Sequence, residues 1–228
     1  MAAPSSNSEL AVLTGDIVGS AKLDPGHLRT LLDEICQAAV RFQIPYPGSI
    51  IGSADVFRGD SWQIAVAAPQ LALRFAVYVR ATAIASGLAD TRIFLGFGTS
   101  SSIHERTTSL STGEAFEISG RGVDGLRSER LGISFGNKAT TAAAFGKAAA
   151  ALLDALIRDW TPKQAGAVRQ VLEKPGLSDA AIVGDPASDS ERRNFTKLRN
   201  RAHCDAILVA LEEWEALPRW AKGPNSDP

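Results

Sequence analysis

The stretch Ala11-Val12-Leu13-Thr14-Gly15-Asp16-Ile17-Val18-Gly19-Ser20 constrains this chain more than any other. It begins as an apolar run with strand character, carries one carboxylate, Asp16, and ends in Gly-Ser before a helix signal. A lone acid inside a buried strand is costly unless something pairs with it, and a metal ion is the usual strong partner. A second strand-like run, from Asp55 to Val66, repeats the arrangement around Asp60. Two carboxylates on two apolar strands are thus candidates for one divalent cation.

The pattern around them reads as an α+β order of elements. Glu9 to Val18 is apolar on both faces and so a central strand. Asp24-Pro25 supplies an N-cap and a proline at the first helical position. Leu28, Leu31, Leu32, Ile35, Ala39 and Phe42 follow at helical spacing, which predicts a helix over Pro25–Phe42. Gly48–Phe57 and Ser61–Ala67 are strands joined by the tight turn Arg58-Gly59-Asp60. Pro69 opens a helix that ends at Gly87, with Leu71, Phe75, Val79 and Ala83 on its inner face. Thr91–Thr99 is a fourth strand, and a Ser/Thr-rich loop follows it over residues 100–112. Gly113–Arg127 is a helix, Leu131–Phe135 a short fifth strand, and Lys138–Trp160 an Ala-rich helix.

From residue 160 the character changes to short helices. Thr161-Pro162 starts one, Ser178–Val183 forms another, and Ser188-Asp189-Ser190-Glu191 is a capping box leading into Arg192–Arg201. Cys204–Leu217 is the last amphipathic helix. The expected division is a loose tail over 1–8, a main domain over 9–159, a helical domain over 160–217 and a second loose tail over 218–228.

Composition narrows the function. Among the chain's 228 residues, 24 Lys and Arg stand against 25 Asp and Glu, so any contact with nucleic acid must come from a local patch. Two distant cysteines and three histidines make neither a disulfide framework nor a zinc site. No run approaches the ~18 apolar residues of a membrane span, and residues 2–9 lack the features of a signal peptide. The expectation is a soluble cytoplasmic protein.

The motif Leu-Thr-Gly-Asp16-Ile-Val-Gly-Ser20, followed by a helix and later by Gly59-Asp60-Ser61-Trp62-Gln63, resembles the class III nucleotidyl cyclase domain in its minimal bacterial form. It is more similar still to the SatD-type family, which carries GDIVxS and GDxxQ motifs and ends in a helix-turn-helix. The resemblance spans about residues 9–215. It implies a ferredoxin-like core and a C-terminal helix-turn-helix-like region. It also implies Mg²⁺ or Mn²⁺ held by Asp16, Asp60 and the backbone carbonyl of Ile17. Gly19 and Ser20 would let backbone amides approach a triphosphate. The implied activity is conversion of a nucleoside triphosphate to a 3′,5′-cyclic nucleotide and pyrophosphate, in a homodimer whose site lies at the interface.

Two positions depart from the family. Its members use an Asn and an Arg four residues apart on a late helix; here Glu117 stands for the Asn, while Arg121 matches the Arg. The purine-selecting lysine is replaced by Val56. Taken by themselves, Glu117 and Arg121 are an i,i+4 ion pair worth a few tenths of a kcal/mol. Trp62 reads as a core aromatic.

The segment from Ser188 to His203 carries five cations, Arg192, Arg193, Lys197, Arg199 and Arg201, against Asp189 and Glu191, a net +3. It is a candidate DNA-recognition helix, but charge runs are more often a solvated face, here packing on the main domain or forming a dimer. Three functional readings remain open: a metal-dependent nucleotidyl cyclase-like enzyme, a catalytically inactive nucleotide-sensing or DNA-binding regulator of the same fold, and a scaffold whose carboxylates are only structural.

Overall fold

The computed structural model describes residues 9–136 and 141–217. The two expected tails and the start of the Ala-rich helix, Lys138–Thr140, lie outside the described residues. The elements run β1 (Glu9–Ile17), α1 (Pro25–Phe42), β2 (Ile50–Phe57), β3 (Ser61–Val66), α2 (Ala72–Ala85), β4 (Thr91–Thr99), α3 (Glu114–Gly125), β5 (Leu131–Phe135) and α4 (Thr141–Ile157). The helices α5 (Pro162–Glu173), α6 (Asp179–Val183), α7 (Asp189–Arg201) and α8 (Cys204–Glu215) complete the chain.

The five strands form one sheet in the order β2-β3-β1-β4-β5. β1 is antiparallel to both β3 and β4, and β2 is antiparallel to β3. The first four strands with α1 and α2 therefore make the β-α-β-β-α-β arrangement of a ferredoxin-like core. β5 adds a parallel edge beside β4, reached through α3. The fold is α+β, with a helical C-terminal region.

Residue alternation along β1 divides the core. Ala11, Leu13 and Ile17 face α1 and α2, together with Trp62, Ile64, Leu95 and Phe97. Leu10 and Val12 face the other side, with Ala65, Ala115 and Phe116 under α3. Thr14 and Asp16 share that second face by parity. α3 lies tight against β4 because β4 presents Gly96 there: a Cβ on Gly96 would stand 2.3 Å from the Ala115 carbonyl oxygen.

α2 departs from the amphipathic pattern expected of it. Every residue from Ala72 to Ala83 is buried, because α5 covers the side of α2 turned away from the sheet. Two arginines are buried with it. Arg74 donates to both carboxylate oxygens of Glu215 on α8, at 2.6 and 3.1 Å. Arg80 is completely buried between Asp90 and Asp154. Tyr78 donates to Glu173 of α5 at 2.7 Å, and the Trp160 indole to the Ala202 carbonyl at 3.1 Å. The C-terminal helices thus share the main core: Trp214 packs on Phe97 and Phe135, and burying a side chain of that size contributes a few kcal/mol.

Other local differences have plain causes. The helix expected at Pro69 begins with a 3-10 turn, Pro69–Leu71, before α2 proper. β2 starts at Ile50 and its register shifts between Ile51 and Asp55, where the Ser53 amide donates to Glu105 of the 100–112 loop at 3.1 Å.

Candidate functional site

The first motif ends at the open end of β1. Asp16 lies opposite Ser61 on β3 and opposite Arg92 on β4. Asp60 is the residue just before Ser61, in the hairpin turn, so the hairpin brings the second carboxylate to the same end of the sheet as the first. Gly19 takes the left-handed conformation, φ 70°, and turns the chain so that the Ser20 hydroxyl donates to Asp60 at 2.5 Å. Ser20 and Asp60 are thus in contact, and Asp16 lies across from the residue that follows Asp60.

Arg92 completes this corner, and the sequence reading missed it. Its Nε donates to Asp16 Oδ1 at 2.8 Å, its Nη2 donates to Asp16 Oδ2, and its Nη1 donates to the Leu126 carbonyl at 3.3 Å. The hydrogen bonds to Asp16, then the charges of Asp16, Asp60 and Asp124, push the Arg92 pKa up despite its partial burial. Part of the signal was present in the sequence: an arginine is the second residue of a strand that is otherwise mostly apolar. What was missing was the strand pairing.

The backbone of Asp16 is held separately. The Thr91 hydroxyl donates to the Asp16 carbonyl at 2.7 Å, and the Trp62 indole donates to that hydroxyl at 3.0 Å. Trp62 is fully buried, a core aromatic rather than a stacking platform. The remaining motif residues form a buried relay. Gln63 Nε2 donates to Thr14 Oγ1 at 2.9 Å, Thr14 Oγ1 to Ser119 Oγ at 2.8 Å, and Ser119 Oγ to the Phe116 carbonyl at 3.1 Å. The two motifs and α3 are thus tied by hydrogen bonds, which explains Thr14 and Gln63 without a ligand. The Ile17 side chain is in the core, so only its backbone carbonyl is left to act as a ligand.

Glu117 and Arg121 lie on the outer face of α3 and pair with each other, with side chains 64% and 79% exposed. No hydrogen bond or ion pair joins them to Asp16 or Asp60 among the described residues. Val56 is exposed on β2.

The basic helix α7 is split between two environments. Arg199 pairs with Asp179 and Asp205, and Arg192 stands 3.9 Å from Asp185. Arg193, Lys197 and Arg201 are exposed. Phe195 is the buried residue that seats α7.

Mg²⁺ and Mn²⁺ take hard oxygen ligands, few of them protein carboxylates, and complete their shells with phosphate and water. The donors at this corner, two carboxylates, the Ser20 hydroxyl and a main-chain carbonyl, are of that kind. Among the described residues no three His, Cys, Asp or Glu side chains gather closely enough to hold a metal by themselves, so an ion here would depend on substrate oxygens. The negative charges of Asp16, Asp60 and Asp124 all favour the cationic form of Arg92.

No family model matches this sequence, and no curated protein matches it. Among solved structures the chain is similar to a bacterial light-regulated adenylyl cyclase, with 16% identity, a TM-score of 0.40, and coverage of 55% of this chain and 43% of that one. It is also similar to the guanylyl cyclase Cya2, with 18% identity, a TM-score of 0.39, and coverage of 55% of this chain and 74% of that one. The chain spans less than half the length of the light-regulated cyclase. None of the described helices is long and apolar enough to cross a membrane.

Proposed function

We propose that this protein is a divalent-metal-dependent nucleotidyl cyclase-like enzyme that converts a nucleoside triphosphate to a 3′,5′-cyclic nucleotide and pyrophosphate. The observation that supports the reading is that Asp16 and Asp60, from two separate motifs, lie at the same end of the β1–β3 pair, with Ser20 of the Gly19–Ser20 turn on Asp60. Asp16, Asp60 and the Ile17 carbonyl would hold Mg²⁺ or Mn²⁺, which supplies charge stabilisation to a polyphosphate. Gly19 and Ser20 would line the phosphate path. Arg121, exposed on α3, would stabilise charge at the α-phosphate from a partner copy across a homodimer interface. Glu117 would keep Arg121 extended until it is used.

A second reading has its own support: a catalytically inactive nucleotide-sensing or DNA-binding regulator. Asp16 is already neutralised by Arg92, Glu117 replaces an amide with a carboxylate, and Arg193, Lys197 and Arg201 leave an exposed basic face on α7.

Incubation of the purified protein with each of the four nucleoside triphosphates and Mn²⁺, followed by chromatography for cyclic products, separates the two. A cyclic product that disappears in Asp16→Ala supports the enzyme. Binding of a nucleotide without any product supports the regulator.

A further inference from the structure

The sheet has two edges, and the chain treats them differently. β2 is covered: its register shifts between Ile51 and Asp55, the Ser53 amide donates to the Glu105 carbonyl at 3.1 Å, and Asp55 accepts from the Ser109 amide at 3.0 Å. Bulges, charged side chains and covering loops are the usual means by which a sheet edge is kept from pairing with another chain. Among the described residues β5 has none of these. Its sequence, Leu131-Gly132-Ile133-Ser134-Phe135, carries no charge and no proline, and it is the last strand of the sheet.

The Arg130 carbonyl accepts from the Ile93 amide, and the Gly136 amide donates to the Phe97 carbonyl. Alternate residues of a strand turn their backbone groups to opposite sides. Gly132 and Ser134 therefore pair with β4, while the N–H and C=O groups of Leu131 and Ile133 face away from it. Such an edge is a template for one more strand. Beside it lies a cleft of about 600 Å³ whose lining includes Leu131, Gly132 and Ile133. The facing wall is α4, where Ala151 and Ala155 leave room beside the strand.

The α4 wall is positive. Lys147 is exposed and has no ion pair among the described residues. Arg158 is 42% exposed, and its partner Asp154 is already shared with Arg80. The opposite wall carries Glu129. A strand's side chains alternate between its faces, so a strand lying in this cleft meets cations on one face and an acid on the other. Lys147 and Arg158 stand eleven residues apart on one helix, about 16 Å along its axis. Strand residues four apart span about 13 Å, a difference that the long side chains of lysine and arginine cover.

We infer that the open edge of β5 is a docking site for an extended acidic peptide, which adds as a sixth strand with acidic residues four apart turned toward Lys147 and Arg158. The inference is independent of the metal-dependent reading above, because none of its contacts lies at the Asp16 corner.

The test uses the full chain labelled with ¹⁵N and the peptide acetyl-Val-Glu-Val-Glu-Val-Glu-Val-amide, followed by nuclear magnetic resonance. The expected result is a saturable shift of the Leu131 and Ile133 amides, with their hydrogen exchange slowed about tenfold or more. The same peptide N-methylated throughout keeps its charge but loses its backbone donors, and should bind at least about tenfold more weakly. A lysine-for-glutamate version should be weakened to a similar degree, and so should the original peptide with Lys147→Glu protein, whose substitution lies at an exposed helix position. No shift at these amides at millimolar peptide overturns the inference, as does equal binding of the methylated peptide. Equal binding of the lysine peptide, or no effect of Lys147→Glu, overturns the acidic partner. Protection of the Leu131 and Ile133 amides that grows with protein concentration in the absence of peptide assigns the edge to a second copy and overturns the inference as well.

Discussion

Arg80 on α2 donates through Nη1 to Asp154 on α4 at 2.7 Å, and through Nε and Nη2 to Asp90 at 3.2 and 2.6 Å. Arg130 also reaches Asp90, Arg158 reaches Asp154, and the Arg130 amide donates to Asp154 at 3.1 Å. The two buried acids are thus fully engaged from four sides. Removing one partner from such a network leaves uncompensated charge in the interior, which costs about 3–5 kcal/mol. Arg80→Met should lower unfolding free energy by that order in urea titrations followed by circular dichroism. A loss as small as that of a surface pair would show that water enters the network.

On the proposed cyclase activity, Asp16→Ala and Asp60→Ala should each abolish cyclic product while leaving the fold intact. The fold survives because the Asp16 carbonyl is held by Thr91 rather than by its own side chain, and Asp60 lies in a turn. Activity should fall at least about 100-fold, as expected when a group that stabilises transition-state charge is lost. Undiminished turnover in Asp16→Ala would remove its role in metal binding.

Arg121→Ala should separate stability from activity. Its ion pair with Glu117 is largely exposed, and such pairs contribute well under about 1 kcal/mol, so the melting temperature should hardly move. Turnover should drop about 10²-fold or more if Arg121 reaches the α-phosphate. Mixing Arg121→Ala with Asp16→Ala protein should restore part of the activity, because each mixed dimer of the proposed assembly would regain one complete site. No recovery on mixing would argue against a site shared between copies.

Alkaline pH should destabilise the protein in a defined window. Burial, then the hydrogen bond to Glu173, pushes the Tyr78 phenol up to about 12 from its ordinary 10. Burial likewise pushes the Cys204 thiol up to about 11 from 9. Both groups are neutral when protonated, and the folded chain favours that form. Their contribution is complete below the ordinary values and drains away as pH rises through the folded ones. The melting temperature should therefore fall between pH 9 and 12. Tyr78→Phe should start lower but lose less across the upper part of that window, as read by scanning calorimetry.

The basic helix makes a separate prediction. Arg199 and Arg192 have acidic partners within the chain, so duplex DNA would be met by Arg193, Lys197 and Arg201. Loss of these three should abolish a salt-dependent gel shift if the face binds phosphate. A shift that Arg193→Ala and Lys197→Ala leave unchanged would remove α7 from any DNA contact.

Much of the fold is legible in local pattern. α1 spans Pro25–Phe42 because Asp24 caps the Gly26 amide and Pro25 fits the first turn. α5 and α7 start at their capping boxes, Thr161 with Gln164 and Ser188 with Glu191. β4 and β5 match their apolar runs. These signals act within a few residues, and nearby sequence carries them whole.

The candidate site divides along the same line. That Asp16 sits uneasily in an apolar strand, and that Asp60 lies in a hairpin turn, follows from local sequence, because strand periodicity and turn chemistry are short-range. That Arg92 clamps Asp16, that Gln63 and Ser119 claim Thr14, and that α5 buries the whole of α2 were decided only by the tertiary structure. Strand register sets residues 76 positions apart face to face, and no local preference for helix, strand or turn records which distant charge will stand opposite.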